Sequence, residues 1–114
     1  MTYVTIDGFE DLTPQQVFDI SKNHLLQQNE KSLHTDPTFP VCAYHGKNGK
    51  MCAAGPFLKD SEVIHCEGVA WAGLNVPDIH CDLVDDLQKV HDLTEPSVWP
   101  EKLAAVAAKY HLVY

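Results

Sequence analysis

The stretch Val41-Cys42-Ala43-Tyr44-His45-Gly46-Lys47-Asn48-Gly49-Lys50-Met51-Cys52-Ala53-Ala54-Gly55-Pro56 decides how the rest of the chain is read. It reads as two short strands, Val41–His45 and Lys50–Ala54, joined by a turn at Lys47-Asn48-Gly49. It carries two of the four cysteines and separates an amphipathic helix before it from a helix-rich second half. Two registers are open. A two-residue Asn48-Gly49 turn pairs Lys47 with Lys50 and sets His45 opposite Cys52. A three-residue loop with Gly49 left-handed pairs Gly46 with Lys50 and sets Tyr44 opposite Cys52; this one is slightly preferred. A shift of one residue exchanges the side chains that share a face.

Upstream, Tyr3–Ile6 alternates weakly as an extended arm, and Asp7-Gly8 reads as a turn. Thr13 is placed as a helix N-cap with Pro14 at the first helical position and Gln16 completing a capping box. Leu12 and Val17 occupy the two positions of a hydrophobic staple. Val17, Phe18, Ile20, His24 and Leu25 are assigned to one face of a helix running to about Gln28. Residues 29–40, with Asp36-Pro37 and Phe39-Pro40, show no period and read as a loop.

Downstream, the run after Pro56 and the segment from Val63 to Leu74 are apolar but irregular. A second helix is expected to open at Val76-Pro77-Asp78, to turn Leu83, Val84, Leu87 and Val90 inward, and to end near Asp92. A third is expected from Pro100, with Leu103, Val106, Ala107 and Tyr110 as its inner stripe. The expected fold is therefore α+β: three helices packed on a small antiparallel hairpin, with irregular connections, in one domain spanning residues 1–114.

The chain has 114 residues, 45% of them apolar, enough to build a core without an obligatory metal or disulfide. Sixteen Asp+Glu oppose eight Lys+Arg for a formal charge of −8. Such a surface disfavours nucleic acid and anionic membranes, which require cations at the interface. A protein partner with a basic surface suits it better, although acidity also serves solubility alone. No basic segment followed by an apolar run opens the sequence, and no apolar stretch approaches the ~18 residues needed to span a bilayer. A cytoplasmic protein with reduced thiols is expected.

The hairpin residues carry a family resemblance. Cys42-Ala43-Tyr44, Gly46-Lys47-Asn48-Gly49 and Cys52-Ala53-Ala54-Gly55-Pro56-Phe57-Leu58-Lys59-Asp60 resemble a family of small uncharacterised bacterial and phage proteins with a Cys-x-Tyr, Gly-turn, Lys-x-Cys-Ala-x-Gly pattern. The resemblance continues through Glu67-Gly68, the Leu-Gln and His-Asp pairs between Leu83 and Asp92, and the C-terminal helix with its apolar tail. Family members commonly carry Arg where this chain has His45. The resemblance implies an accessory role on phage, prophage and other mobile genetic elements.

The residues themselves bear on three chemistries. Zinc sites favour closely spaced Cys and His pairs. Cys42, His45 and Cys52 could act together only from both faces of a hairpin, with Cys66 or His80 as the fourth ligand, so no metal site and no cofactor is assigned. A Cys-dependent enzyme would use Cys52 as nucleophile with His45, His80 or His91 as base and Asp92 or Asp60 as orienter. A small-ligand site would centre on Cys42, Tyr44 and Cys52. Against both stands the tendency of free cysteine to be buried as a small hydrophobe.

The surface feature singled out is acidic. Asp78, Asp82, Asp85 and Asp86 lie on the side of the second helix away from Leu83 and Leu87, continued by Asp92 and Glu95, with only Lys89 offsetting them. Trp71 and Trp99 are either interface anchors or core caps. The leading expectation is a non-enzymatic interaction protein that binds a protein partner through an acidic, partly aromatic surface.

Overall fold

The computed structural model describes residues 3–32 and 43–114. Three helices form the framework: α1 (Pro14–Gln28), α2 (Cys81–Leu93) and α3 (Trp99–Lys109). They pack pairwise, and short 3₁₀ turns connect them.

Helix α1 begins as its capping signals dictate. The Thr13 hydroxyl accepts from the Gln16 N–H at 3.1 Å, and the Gln16 carboxamide accepts from the Thr13 N–H at 2.8 Å. Asn29, left-handed at φ 52°, ends the helix and donates its N–H to the Leu25 carbonyl. Its buried stripe is Val17, Phe18, Ser21 and Leu25. Ile20, assigned to that face by pattern, is exposed, and Ser21 takes the inward position. Helix α2 starts at Cys81, after a left-handed His80, rather than at Val76–Asp78. Its inward residues are Leu83, Val84, Leu87 and Val90, as the period requires, together with His91. Helix α3 buries Trp99, Leu103, Val106 and Ala107.

The hairpin expectation is corrected: among the described residues there is no strand and no sheet, and the molecule is mainly helical. Around the Lys47–Gly49 turn, where Asn48 and Gly49 are both left-handed, a single bridge pairs His45 with Met51. Gly46 N–H donates to Lys50 O at 2.8 Å and Cys52 N–H to Tyr44 O at 3.3 Å. The turn thus closes in the register that sets Tyr44 opposite Cys52. Pairing stops there because the next donors are engaged elsewhere. The N–H groups of Tyr44 and His45 go to the two carboxylate oxygens of Glu67, at 2.7 and 3.2 Å. Beyond Cys52 the chain coils into the Gly55–Phe57 turn. Val41 and Cys42, the start of the first expected strand, lie outside the described residues, as do residues 33–40 of the expected loop.

Buried backbone polar groups must still find partners. For Met51, Ala53 and Ala54 the helices supply them. Ser21 Oγ donates to Ala53 O, Gln28 Nε2 donates to Met51 O while its Oε1 accepts from Met51 N–H, and Gln88 Oε1 accepts from Ala54 N–H, all at 2.9 Å. His24 Nε2 adds a bond to Met51 O. Four side chains of α1 and α2 stand where a neighbouring strand would. The described part of the N-terminal arm forms one bridge, Thr5 opposite Leu58, with Ile6 N–H donating to Phe57 O and Lys59 N–H to Val4 O, and Val4 N–H donates to Asn75 O.

The core between these elements is aromatic at one end. Phe9 packs against Phe57 and Trp71 with ring centroids 5.2 and 5.8 Å apart, and edge-on against His80 at 5.4 Å. At the other end Trp99 stacks on His91. No helix among the described residues is long and apolar enough to cross a membrane.

Candidate functional site

The cysteines proposed for chemistry are absorbed by the core. Cys52 is fully buried; burial pushes its thiol well above the ordinary range, although N–H groups of Ala54 and Gly55 partly oppose this. A thiol held protonated in an apolar site is a poor nucleophile and a poor metal ligand. Cys66 is buried and donates to Glu62 O, and burial together with Glu67 and Glu62 raises its thiol too. Cys81 is half-buried and raised by burial and by Asp78, Asp82 and Asp85. Cys42 lies outside the described residues.

The expected bases are likewise engaged. His45 donates from Nε2 to Gly55 O at 2.9 Å and places Nδ1 3.4 Å from Asp60, an ion pair when the ring is protonated. His80 is buried against Phe9. His91 is fully buried, with Ser32 N–H donating to its Nε2 and its Nδ1 2.7 Å from Asp92. Among the described residues no hydrogen bond joins Cys52 to any of these imidazoles, and no three His, Cys, Asp or Glu groups are placed to hold a metal ion. The constellation of Cys52, His45 and His80 is not assembled as a catalytic site.

The acidic stripe divides into separate roles. Asp86 turns to α3: Lys109 Nζ and Tyr110 OH both donate to its Oδ2, at 2.7 and 2.6 Å. Burial works to raise its carboxyl, but the two hydrogen bonds and the Lys109 charge outweigh that and hold it below the ordinary 3.8. Asp86 is thus an internal tie and not part of a free acidic surface. Asp78 and Asp82 stay exposed at the start of α2, flanking the half-exposed Ile79. Asp85 pairs with Lys89 at 3.2 Å.

Asp85 and Asp92 line one cleft of about 240 Å³ together with Tyr44, Trp71, Gln88 and Lys89. The elements that place them are α2 on one side and the 68–71 turn with Tyr44 on the other. Tyr44 is buried, and its hydroxyl donates to Val69 O at 2.5 Å, which fixes that turn over the cleft. Burial is the main cause that raises its phenol, and Cys52, Cys66, Asp92 and Glu67 add to it. Trp71 is almost wholly buried, and Trp99 completely, so both are core residues and neither is an exposed anchor. Glu67 and Gln88, which organise this region, enter the sequence reading only as positions of the family resemblance and with no role, because each reads as an ordinary surface polar residue.

No family model, no curated protein and no solved structure matches the chain.

Proposed function

We propose that the chain is a non-enzymatic interaction module whose cleft along α2 receives a cationic side chain from a basic partner protein. The observation that carries this reading is the meeting of Asp85 and Asp92 with Tyr44 and Trp71 in one cleft of about 240 Å³, sized for a single long side chain. The chain's charge of −8 favours a positively charged partner and speeds its approach. The Asp85–Lys89 pair is exposed and of the i,i+4 kind, worth only a few tenths of a kcal/mol, so a partner's cation can displace it. Asp78 and Asp82 extend the same negative surface toward the start of α2. The resemblance in the hairpin residues adds that such a module would serve a mobile genetic element as an accessory protein.

The test is titration with a fluorescent peptide rich in arginine and a neutral peptide of the same length, followed by anisotropy. The basic peptide binds at least about tenfold more tightly than the neutral one. Asp82→Lys with Asp85→Lys abolishes the difference, and Cys52→Ser leaves it intact. Equal binding of the two peptides, or binding lost with Cys52→Ser in a folded protein, refutes the proposal.

A further inference from the structure

The side of α2 facing α3 carries a second surface of opposite character. A shallow groove of about 350 Å³ runs between the two helices, floored by Val90, Ala105 and Val106 and flanked by Leu93. Leu93 is 74% exposed, high for a leucine at the edge of an apolar floor. Lys89, Lys102 and Lys109 also line the groove, as does Asp86, whose Oδ2 accepts from Lys109 and Tyr110. All eight cationic side chains of this chain are lysines, so three of them gather here in a protein of net charge −8. Lys109 is tied to Asp86 and Lys89 to Asp85, whereas Lys102 is exposed without an ion-pair partner among the described residues.

We propose that the α2–α3 groove docks an acidic amphipathic segment of a partner protein, its apolar side chains on Val90, Leu93 and Val106 and its carboxylates on Lys89, Lys102 and Lys109. Charge complementarity selects this occupant: an apolar strip bordered by cations matches a helix whose apolar face is bordered by Asp and Glu. The surface is distinct from the cleft of the proposed function, sharing with it only the ridge of Lys89 and Leu93. Substitutions at Lys102 and Ala105, which line the groove alone and are exposed, therefore separate the two.

The probe is a fluorescein-labelled synthetic 18-residue helix with leucines at i, i+3, i+4 and i+7 spacing and glutamates between them. Its controls are the same peptide with lysines for glutamates and a scrambled peptide of identical composition. Anisotropy with the full chain gives saturable binding of the acidic amphipathic peptide that weakens with salt. Lys102→Glu or Ala105→Glu each weakens it about tenfold or more, and both variants retain the parent melting temperature and the affinity for the arginine-rich peptide. No saturable binding, equal binding of the scrambled or lysine peptide, or indifference to both substitutions overturns the proposal. So does a concentration-dependent dimer in sedimentation that Ala105→Glu dissolves, which assigns the groove to a second copy. Because the arginine-rich peptide is read separately, failure of one surface is distinguishable from failure of the other.

Discussion

The Ser32 N–H donates to His91 Nε2 at 3.0 Å across 59 positions of sequence. A backbone N–H can only donate, so Nε2 accepts, and the ring hydrogen resides on Nδ1, where it is donated to Asp92 Oδ1 at 2.7 Å. A His-Asp pair that resembles part of a catalytic relay is thereby a structural pin. It ties the segment after α1 to the end of α2, with Trp99 of α3 stacked on the ring. Replacing His91 by Ala leaves Ser32 N–H without its acceptor and opens a cavity beside Trp99. The expected loss is about 2–4 kcal/mol, read as a lower urea midpoint. A loss below about 0.5 kcal/mol contradicts the pin.

Gly55 is required for its absent side chain. A Cβ there would press on the Tyr44 carbonyl oxygen and lie 2.7 Å from Met51 Cβ, so the turn after Cys52 would have to move. Gly55→Ala is expected to cost about 1–3 kcal/mol. Gly49, left-handed at φ 74° with open space around it, is the control. Gly49→Asn, a residue that tolerates this conformation, should cost less than about 1 kcal/mol. Thermal melts of the two variants check the order.

Asp86 links stability to pH. Its folded carboxyl lies below the ordinary value, so the ionised form is favoured by the fold. The stabilisation is therefore fully present above about pH 4–5 and is lost as the pH falls through the depressed folded value. Lys109 is well exposed, so its ion pair with Asp86 is discounted for solvent screening, and Tyr110 OH supplies a second, part-buried hydrogen bond to the same oxygen. Asp86→Asn should cost about 1 kcal/mol at pH 7 and progressively less below pH 4. Urea unfolding from pH 2.5 to 7 checks this, and a cost independent of pH counts against the tie.

The thiols should be inert in the folded protein. Burial raises those of Cys52, Cys66 and Cys81, so little thiolate exists at neutral pH. With Cys42→Ser as background, a chromogenic disulfide reagent at pH 7.5 should modify Cys52 and Cys66 only at the rate of unfolding, and all three rapidly in denaturant. The same shifts stabilise the fold at pH below the unfolded thiol range and are withdrawn as the pH rises toward the folded values. Fast, selective labelling of Cys52 would restore the enzyme reading.

Helix α1 was legible because its information is local: Thr13, Pro14, Gln16 and Leu12 specify its start within a few residues. The inward faces of α2 and α3 were legible from their period, since Leu83, Leu87, Leu103 and Val106 have no other way to leave water. The hairpin was not, although its turn chemistry was real. Whether a turn extends into strands depends on who takes the next N–H and C=O groups. Here Glu67, Gln28, Ser21 and Gln88 take them, and nothing local marks those four as partners of residues 44–54.

The cleft followed the same rule. The start of α1, the inward faces of α2 and α3, the acidity and the turn at Lys47-Asn48-Gly49 are written in the chain itself. That Asp86 turns inward to Tyr110 while Asp85 and Asp92 face Tyr44 and Trp71 is set by how the helices pack. The physical reason is range. Capping and periodicity act over one or two turns of chain, whereas hydrogen-bond partners of buried groups are chosen by packing among elements tens of residues apart.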